Sequence, residues 1–197
     1  MGKLFYVTGK SSTGKDTVFK NLMENPKLAL RPFVMYTTRP MRGGEQPGVE
    51  YYFTDEEELA RMTEQGNVIE VRSYDTVHGV WKYFTAHGES IDLENNSYAM
   101  IGVLDSFRAA REYYGTEKVI PIYIEVEDGE RLQRALDRER AQETPGYAEL
   151  CRRFLTDSED FSEENIEKSG IEKRFQNTNL QECIQEITAY ILEVKER

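Results

Sequence analysis

The sequence predicts a single α/β domain in which a parallel β-sheet is flanked by helices. Three short segments, Leu4 to Thr8, Tyr98 to Leu104 and Val119 to Val126, are apolar without clean alternation. This pattern is typical of strands buried on both faces of a parallel sheet. Apolar residues at helical spacing follow Lys15, and Ser106 to Tyr114 suits a helix between the later two strands. With 197 residues the chain is long enough for one large core.

The other elements are assigned by the same periodicity and turn signals. They are strands over Pro32 to Thr38, Val68 to Arg72, Val80 to Thr85 and Lys173 to Asn177, helices over Asp55 to Gln65 and Glu130 to Arg140, and an apolar-striped helix from Leu180. We expect a core formed by residues 1–36, 91–130 and 170–197, an inserted lobe over about residues 37–90, and a helical lid over about residues 131–165.

Charge and hydropathy exclude several classes of protein. The formal net charge of −11 argues against broad electrostatic attraction to nucleic acid or to an anionic membrane. No apolar run approaches the roughly 20 residues of a membrane-spanning helix. The segment from Met1 to Gly9 reads as a strand and not as a signal peptide, so we expect a cytoplasmic protein.

The cysteines predict neither a metal site nor a disulfide. Cys151 and Cys183 lie far apart without CxxC spacing, and the sequence has only His78 and His87 as further ligands of the zinc-binding type. We therefore interpret both cysteines as reduced thiols.

A phosphate-binding loop is predicted directly after the first strand. The residues from Gly9 to Lys15 read GKSSTGK, which satisfies GxxxxGK between a predicted strand and a predicted helix. In such a loop, backbone N–H groups and the positive helix end bind phosphate, and the ammonium group of the lysine contacts the β- and γ-phosphates. The alternative is a glycine-containing turn that caps the helix and binds no ligand. The predicted ATP-binding residues here are Gly9, Ser12, Thr13, Gly14, Lys15, Asp16 and Thr17.

The residue after the loop lysine departs from the common pattern. Asp16 occupies the position where most such loops have the Ser or Thr that binds Mg²⁺, and Thr17 follows it. A carboxylate is a good ligand for Mg²⁺. Either Asp16 or Thr17 is the candidate metal ligand, with Mg²⁺ entering together with ATP.

The segment from Thr37 to Phe53 carries a family resemblance. It reads TTRPMRGGEQPGVEYYF and resembles the guanylate kinase signature TTRxxRxGExxGxxYxF. The resemblance runs along almost the whole chain and is most specific in this block. It implies a P-loop NTPase-type sheet with an inserted GMP-binding lobe and a helical lid. It also implies ATP-dependent phosphorylation of GMP and dGMP, nucleotides as partners, and a monomer or homodimer.

The same resemblance implies which residues bind GMP. Two arginines three apart present guanidinium forks to one phosphate, and a tyrosine hydroxyl adds a donor. These residues are Arg39, Arg42 and Tyr51, and Tyr83 is the fourth phosphate contact.

Guanine carries an N1–H, an exocyclic amine and an O6 acceptor, so a carboxylate and a hydroxyl would select it. Glu70 and Thr85 match the family positions for this task, and Asp105 also faces the base.

Two residues in or beside this lobe depart from the family pattern. Met35 stands where the family commonly has a serine, and Phe84 where it usually has glycine. If the register slips by one, Lys82 takes the place of Tyr83. These departures leave open a kinase that acts on another monophosphate or on a phosphorylated sugar. A non-catalytic interaction module of the same fold is a further alternative, opposed by the retained Gly14-Lys15 pair.

Arginines of the predicted lid indicate how it would contact the phosphates of ATP. Arg134 and Arg138 are four apart on one helix face, and Arg152 or Arg153 follows the Pro145-Gly146 break. They are similar to the family's lid arginines, which meet the charge of the transferring phosphoryl group. The predicted catalytic set is Lys15, Arg39, Arg134, Arg138 and Arg152.

Some of these polar residues have simpler interpretations. Pairing with Asp137, Glu139 or Glu149 on exposed helices is the favoured interpretation for Arg140 and Arg153. The resemblance places Asn177 near the adenine of ATP, whereas its neighbour Asn179 reads as a helix N-cap.

Overall fold

The computed structural model describes residues 1–76 and 79–197, so His78 lies outside the described residues. The strands are β1 Leu4–Thr8, β2 Leu30–Pro32, β3 Tyr36–Thr37, β4 Tyr52–Phe53, β5 Val68–Thr76, β6 Gly79–Ala86, β7 Ser97–Ile101, β8 Val119–Glu125 and β9 Arg174–Gln176. The helices are α1 Lys15–Glu24, α2 Glu56–Glu64, α3 Leu104–Tyr114, α4 Asp128–Arg140, α5 Tyr147–Asp160, α6 Glu163–Lys168 and α7 Leu180–Glu196.

Five parallel strands form the main sheet in the order β2-β7-β1-β8-β9. The central strand β1 pairs with β7 and β8, with Leu4 opposite both Tyr98 and Val119. Every residue of β1 is buried because helices cover both faces of the sheet. One core cluster includes Phe107 of α3, and the other includes Ile187 of α7. The predicted α/β fold with a flanked parallel sheet is confirmed.

A second sheet of four strands, in the order β4-β3-β6-β5, lies within residues 36–86. The antiparallel pair β5 and β6 forms its largest part. Leu59 and Met62 of α2 pack with Phe84 and Ala86 to close a separate small core. Residues 36–86 therefore contain a second sheet with its own hydrophobic cluster, within the segment for which an inserted lobe is predicted.

The predicted single strand from Pro32 to Thr38 was wrong, because this segment belongs to both sheets. Strand β2 pairs with β7, whereas β3 pairs with β6. Between them, Phe33 and Val34 are buried. The chain therefore crosses from one sheet to the other through a buried segment, which periodicity alone does not distinguish from a continuous strand.

The two cysteines differ in their surroundings, and this difference predicts their reactivity. Cys183 lies on the buried face of α7, and burial raises the pKa of its thiol to about 11. Cys151 is exposed on α5, and both thiols are free. Because the thiolate is the reactive form, we expect one rapidly reacting thiol with a disulfide reagent at pH 8. Cys151→Ser should remove the fast phase. A fast phase that survives in folded Cys151→Ser protein would contradict this assignment.

None of the helices in residues 1–76 and 79–197 is long and apolar enough to cross a membrane.

Candidate active site

The phosphate loop joins β1 to α1 at the carboxyl end of the central strand. Gly9 passes so close to β8 that a Cβ would lie 2.4 Å from the carbonyl oxygen of Ile124. Gly14 has a φ of 82°, and a Cβ there would lie 2.5 Å from Nδ2 of Asn177. Glycine is thus required at both positions. The loop delivers the free N–H groups at the start of α1 to one surface, which is the arrangement that binds phosphate.

Two loop hydroxyls have different surroundings. Thr13 is buried, and its Oγ1 donates to the carbonyl of Lys10 at 2.9 Å, which stabilises the loop. Ser12 has a φ of 65°. Within the described residues, its buried Oγ has no hydrogen-bond partner. Ser12 is therefore the loop hydroxyl that a ligand would satisfy.

The first turn of α1 presents Lys15, Asp16 and Thr17. The Nζ of Lys15 lies 3.7 Å from Oδ2 of Asp16, whose side chain is 85% exposed. Thr17 is also exposed. The two candidate metal ligands therefore stand at the open side of the loop, where a carboxylate or a hydroxyl can meet an incoming metal–nucleotide complex.

Asn177 lies behind the loop. Its backbone N–H donates to the carbonyl of Glu125 at 2.9 Å, and its Nδ2 donates to the carbonyl of Thr13 at 2.7 Å. The side chain is buried. Asn177 thus ties the loop to the end of β8, and contact with the adenine remains a prediction. Asn179 caps α7 as expected, since its Oδ1 accepts from the N–H groups of Gln181 and Glu182.

A cavity of 410 Å³ separates the phosphate loop from α4 and α5. Ser12 and Lys15 line it on the loop side, and Arg138 and Arg153 line it on the helical side. This is the place where a triphosphate held by the loop would meet lid arginines.

The other two lid arginines lie elsewhere. Arg134 donates to the carbonyl of Asn177 at 2.9 Å and pairs with Glu130 at 3.0 Å. The guanidinium of Arg152 makes two hydrogen bonds of 2.7 Å with Glu149 on the exposed face of α5. Arg152 and then Arg153 lower the pKa of Glu149 to about 2. Arg153 forms the predicted surface ion pair with Glu149, with Nε 2.8 Å from Oε1, and it also lines the cavity.

Sequence reasoning missed Arg131, whose side chain is only 1% exposed. Its Nε lies 3.1 Å from Oδ1 of Asp128, and its Nη1 lies 3.2 Å from Oδ2 of Asp157. The guanidinium also stacks on Phe154, 4.3 Å from the ring centroid. A buried arginine needs such partners because an uncompensated charge is costly in the interior.

Asp157 connects this ion pair to the phosphate loop. Its Oδ2 accepts from the backbone N–H of Ser11 at 2.7 Å, and Arg131 donates to the carbonyl of Ser11 at 3.3 Å. The two backbone polar groups of Ser11 therefore fix the loop to both helices, the N–H to Asp157 of α5 and the carbonyl to Arg131 of α4. One feature of the sequence could have indicated this contact, namely a mixed apolar and charged set of residues that share one face of α5 and its C-cap. The set consists of Leu150, Arg153, Phe154, Asp157 and Phe161.

In the inserted lobe, Arg39 is buried and fixed. Its Nη1 and Nη2 lie 2.9 and 2.8 Å from the two oxygens of Glu45, a bidentate contact. The guanidinium lies 5.6 Å from the ring centroid of Tyr51 and 5.5 Å from that of Phe53. The hydrogen bonds to Glu45 raise the pKa of Arg39, so it is a permanent cation. Arg42 is exposed on the same loop, and its N–H donates to Glu45 at 2.7 Å.

The structure resolves the question of register in β6. Tyr83 packs edge-on against Tyr51 with ring centroids 5.5 Å apart, whereas Nζ of Lys82 pairs with Glu56 at 2.6 Å. Tyr83, and not Lys82, therefore faces the arginine loop. Phe84 is fully buried and stacks on Tyr36 at 5.1 Å, so it fills the lobe core.

The predicted base-binding pair is formed across β5 and β6. Thr85 Oγ1 donates to Oε1 of Glu70 at 2.9 Å, and the two residues are cross-strand neighbours. Both oxygens of Glu70 also contact Arg72, at 3.1 and 3.4 Å. Asp105 lies in the first turn of α3, where it is exposed and pairs with Arg108.

Known proteins resemble this chain over most of its length. A model of the guanylate kinase family matches residues 1–187. The guanylate kinase of Symbiobacterium thermophilum is 30% identical over 100% of this chain and 87% of its own length. That of Porphyromonas gingivalis is 30% identical over 80% of this chain and 90% of its own length.

A solved structure supports the fold. The crystal structure of guanylate kinase from Anaplasma phagocytophilum superposes with a TM-score of 0.61 at 22% identity, covering 98% of this chain and 85% of that one. Since the family model spans nearly all of the sequence, this chain belongs to the guanylate kinase family.

Proposed function

We propose that this protein transfers the terminal phosphoryl group of ATP to GMP, and also to dGMP, forming ADP and a guanosine diphosphate. The observation that carries the proposal is the presence of both halves of a kinase site in one chain. A phosphate loop faces lid arginines, and a separate lobe holds a buried arginine and a Glu70–Thr85 pair. Family membership supports the same reaction.

The loop and the lid hold the donor. Phosphoryl transfer requires in-line positioning and neutralisation of charge on the phosphoryl oxygens, with little covalent chemistry from the protein. Lys15 contacts the β- and γ-phosphates, the loop N–H groups bind the β-phosphate, and the hydroxyl of Ser12 donates to a phosphate oxygen. Arg138 and Arg153 line the facing wall and close on the γ-phosphate. For Arg134 and Arg152 to contact the transferring phosphoryl group, the lid helices must shift.

The lobe holds the acceptor. Arg39 and Arg42 bind the monophosphate, and the hydroxyls of Tyr51 and Tyr83 add neutral donors. The bidentate contact with Glu45 fixes the orientation of the planar guanidinium of Arg39. The oxygens of the base-binding pair, Glu70 and Thr85, select guanine, and Asp105 reaches toward it from the start of α3.

The donor set near the loop fits Mg²⁺ that arrives with ATP. Within the described residues, no group of three or more His, Cys, Asp or Glu side chains forms a ready metal site. A single carboxylate or hydroxyl beside the loop suits a metal held mostly by phosphate oxygens and water. Bound there, Mg²⁺ would neutralise charge on the phosphates. Asp16 or Thr17 would hold it.

Metal dependence gives a test of that assignment. We expect EDTA to abolish turnover, and Asp16→Asn to raise the Mg²⁺ concentration for half-maximal rate by about 10-fold, because an amide is the weaker ligand. Thr17→Ala is the matched comparison. If only Thr17→Ala shifts the Mg²⁺ titration, Thr17 is the ligand and Asp16 is not.

We also propose that residues 37–90 and about 131–165 move toward the core as an acceptor lobe and a lid, as closing kinases exclude water from the reacting phosphates. The reaction needs only small nucleotides as partners, so a monomer or homodimer in the cytoplasm suffices.

The proposed function is tested with a panel of acceptors. ADP formation from Mg²⁺-ATP is measured with GMP, dGMP, AMP, CMP, UMP and glucose 6-phosphate at equal concentrations. We expect GMP and dGMP to exceed every other acceptor by at least about 100-fold, since the lobe discriminates by buried polar groups. Preference for a different acceptor would overturn the assignment of GMP.

Glu70 provides a residue-level check of base selection. We expect Glu70→Ala to lower kcat/KM for GMP by about 100-fold, because two donors of guanine lose a charged acceptor. The slow rates with CMP and UMP should change little. Equal losses with all acceptors would show that Glu70 supports the lobe and does not read the base.

A further inference from the structure

We propose that Arg72 is a specificity-determining residue that donates hydrogen bonds to O6 and N7 of the acceptor base. The inference rests on the proposed function and assigns a second base-reading residue beside Glu70. Arg72 lines a 390 Å³ cavity with Tyr51 and Tyr83, the tyrosines of the monophosphate site. It also contacts Glu70, so it stands between the two predicted subsites.

The strand geometry places Arg72 on the face that binds the acceptor. In β5, residues 70 and 72 are two apart and therefore point to the same face of the sheet. Their partners in β6 are Thr85 and Tyr83. Glu70, Thr85, Arg72 and Tyr83 thus form two adjacent cross-strand pairs, a carboxylate–hydroxyl pair followed by a guanidinium–phenol pair.

The hydrogen bonds of Arg72 leave donors available. Nε contacts Oε2 of Glu70 at 3.1 Å, and Nη2 contacts Oε1 at 3.4 Å. Nη2 also lies 3.7 Å from the sulfur of Met35, a weak acceptor. In the described part of the chain, these contacts use Nε and Nη2 of a guanidinium that has five N–H donors. Nη1, and Nη2 once it leaves the sulfur, can serve a ligand.

This arrangement matches the edge of guanine. Reading around the ring, guanine presents two donors, the exocyclic amine and N1–H, followed by two acceptors, O6 and N7. Glu70 offers two acceptor oxygens, and Arg72 offers a planar fork of donors beside them. The bidentate pairing of arginine with O6 and N7 is the commonest specific contact to guanine in protein–DNA recognition. Adenine carries an amine in place of O6 and would be opposed by the same fork.

The competing explanation for Arg72 is that it only forms an ion pair with Glu70. Arg72 is 26% exposed and Glu70 is 12% exposed, and such a pair alone contributes little to stability. If Arg72 only neutralised Glu70, its removal would free Oε2 for guanine and leave Oε1 with Thr85 as its remaining partner. Turnover of GMP would then be unchanged or improved, which is the opposite of the result expected from base reading.

The test compares GMP with 7-deaza-GMP, which has C–H in place of N7, and with IMP, which lacks the 2-amino group. Wild-type protein should prefer GMP over 7-deaza-GMP by about 10-fold in kcat/KM. Arg72→Ala should lower kcat/KM for GMP by about 10- to 100-fold and make the two substrates equivalent. Its preference for GMP over IMP, which Glu70 reads, should persist.

Arg61→Ala is the matched control, because Arg61 is an exposed arginine of the same lobe that pairs with Glu58. It should leave both ratios unchanged, and thermal unfolding should confirm that each variant is folded. Equal losses of GMP and 7-deaza-GMP in Arg72→Ala, or no loss, would overturn the role of Arg72. Wild-type protein that does not phosphorylate GMP at all would instead overturn the proposed function.

Discussion

Lys15→Ala is expected to reduce phosphoryl transfer by at least about 10³-fold while the protein stays folded. The lysine follows the phosphate loop, and its ammonium group is the cation that meets the β- and γ-phosphates in such loops. Preorganised charge of this kind is usually the largest single contribution to catalysis. The side chain lines the open cavity and is not part of the core, so its removal leaves no buried void. The measurement is the initial rate of ADP formation at saturating GMP.

Lys20→Ala supplies the control, because Lys20 lies on the same helix and pairs with Glu24 at the surface. It should retain full activity. Thermal unfolding of both variants should match the wild type within a few degrees. Folded Lys15→Ala protein with wild-type turnover would show that the loop does not hold the donor phosphates.

Arg131→Met is expected to destabilise the protein by about 3–5 kcal/mol, since it breaks a buried ion pair and leaves Asp157 without its cation. For a chain of this size, the melting temperature should fall by roughly 6–20 °C. KM for ATP should also rise, because Ser11 loses one of the two contacts that fix it to α4 and α5. Asp128 keeps Lys10 as a partner at 3.2 Å, so the uncompensated charge is that of Asp157.

A second substitution, at Asp157, should reverse part of the destabilisation caused by Arg131→Met. Arg131→Met combined with Asp157→Asn removes both charges, and the amide oxygen can still accept from Ser11. Part of the lost stability should return, so the double variant should melt above Arg131→Met alone. Arg140→Met, an exposed position of the same helix, should change the melting temperature little. An Arg131→Met melting temperature equal to that of Arg140→Met would contradict the buried network.

Local signals allowed the donor half of the site to be predicted from the sequence. The apolar strand, the glycine spacing and the following helix all lie between Leu4 and Glu24, and each requires only its neighbours. The carboxyl end of a central parallel strand then places the loop at the surface. The acceptor residues were predicted by resemblance. The antiparallel pairing of β5 with β6, which the resemblance did not specify, brings Glu70 opposite Thr85.

The features of the site that were not predicted depend on packing between segments that are distant in the sequence. Arg131 and Asp157 are 26 residues apart, and each lies in a charged stretch whose composition indicates a solvated surface. Only the contact of α4 with α5 and the loop reveals their pairing. Which of Arg152 and Arg153 lines the cavity depends on the rotation of α5, whose inner face carries the buried Leu150. Arg72 was missed because a charged residue in a half-exposed strand gives no local sign of a ligand.

The central claim is that one chain moves a phosphoryl group between two nucleotides. The most direct measurement uses ATP labelled with ³²P in the γ-phosphate, incubated with GMP and Mg²⁺, with the products separated by chromatography. The account predicts that the label appears in GDP in equal amount to the ADP formed, and that Lys15→Ala removes it. Label released only as inorganic phosphate, or retained in ATP, would contradict the assignment of this protein as a kinase of GMP.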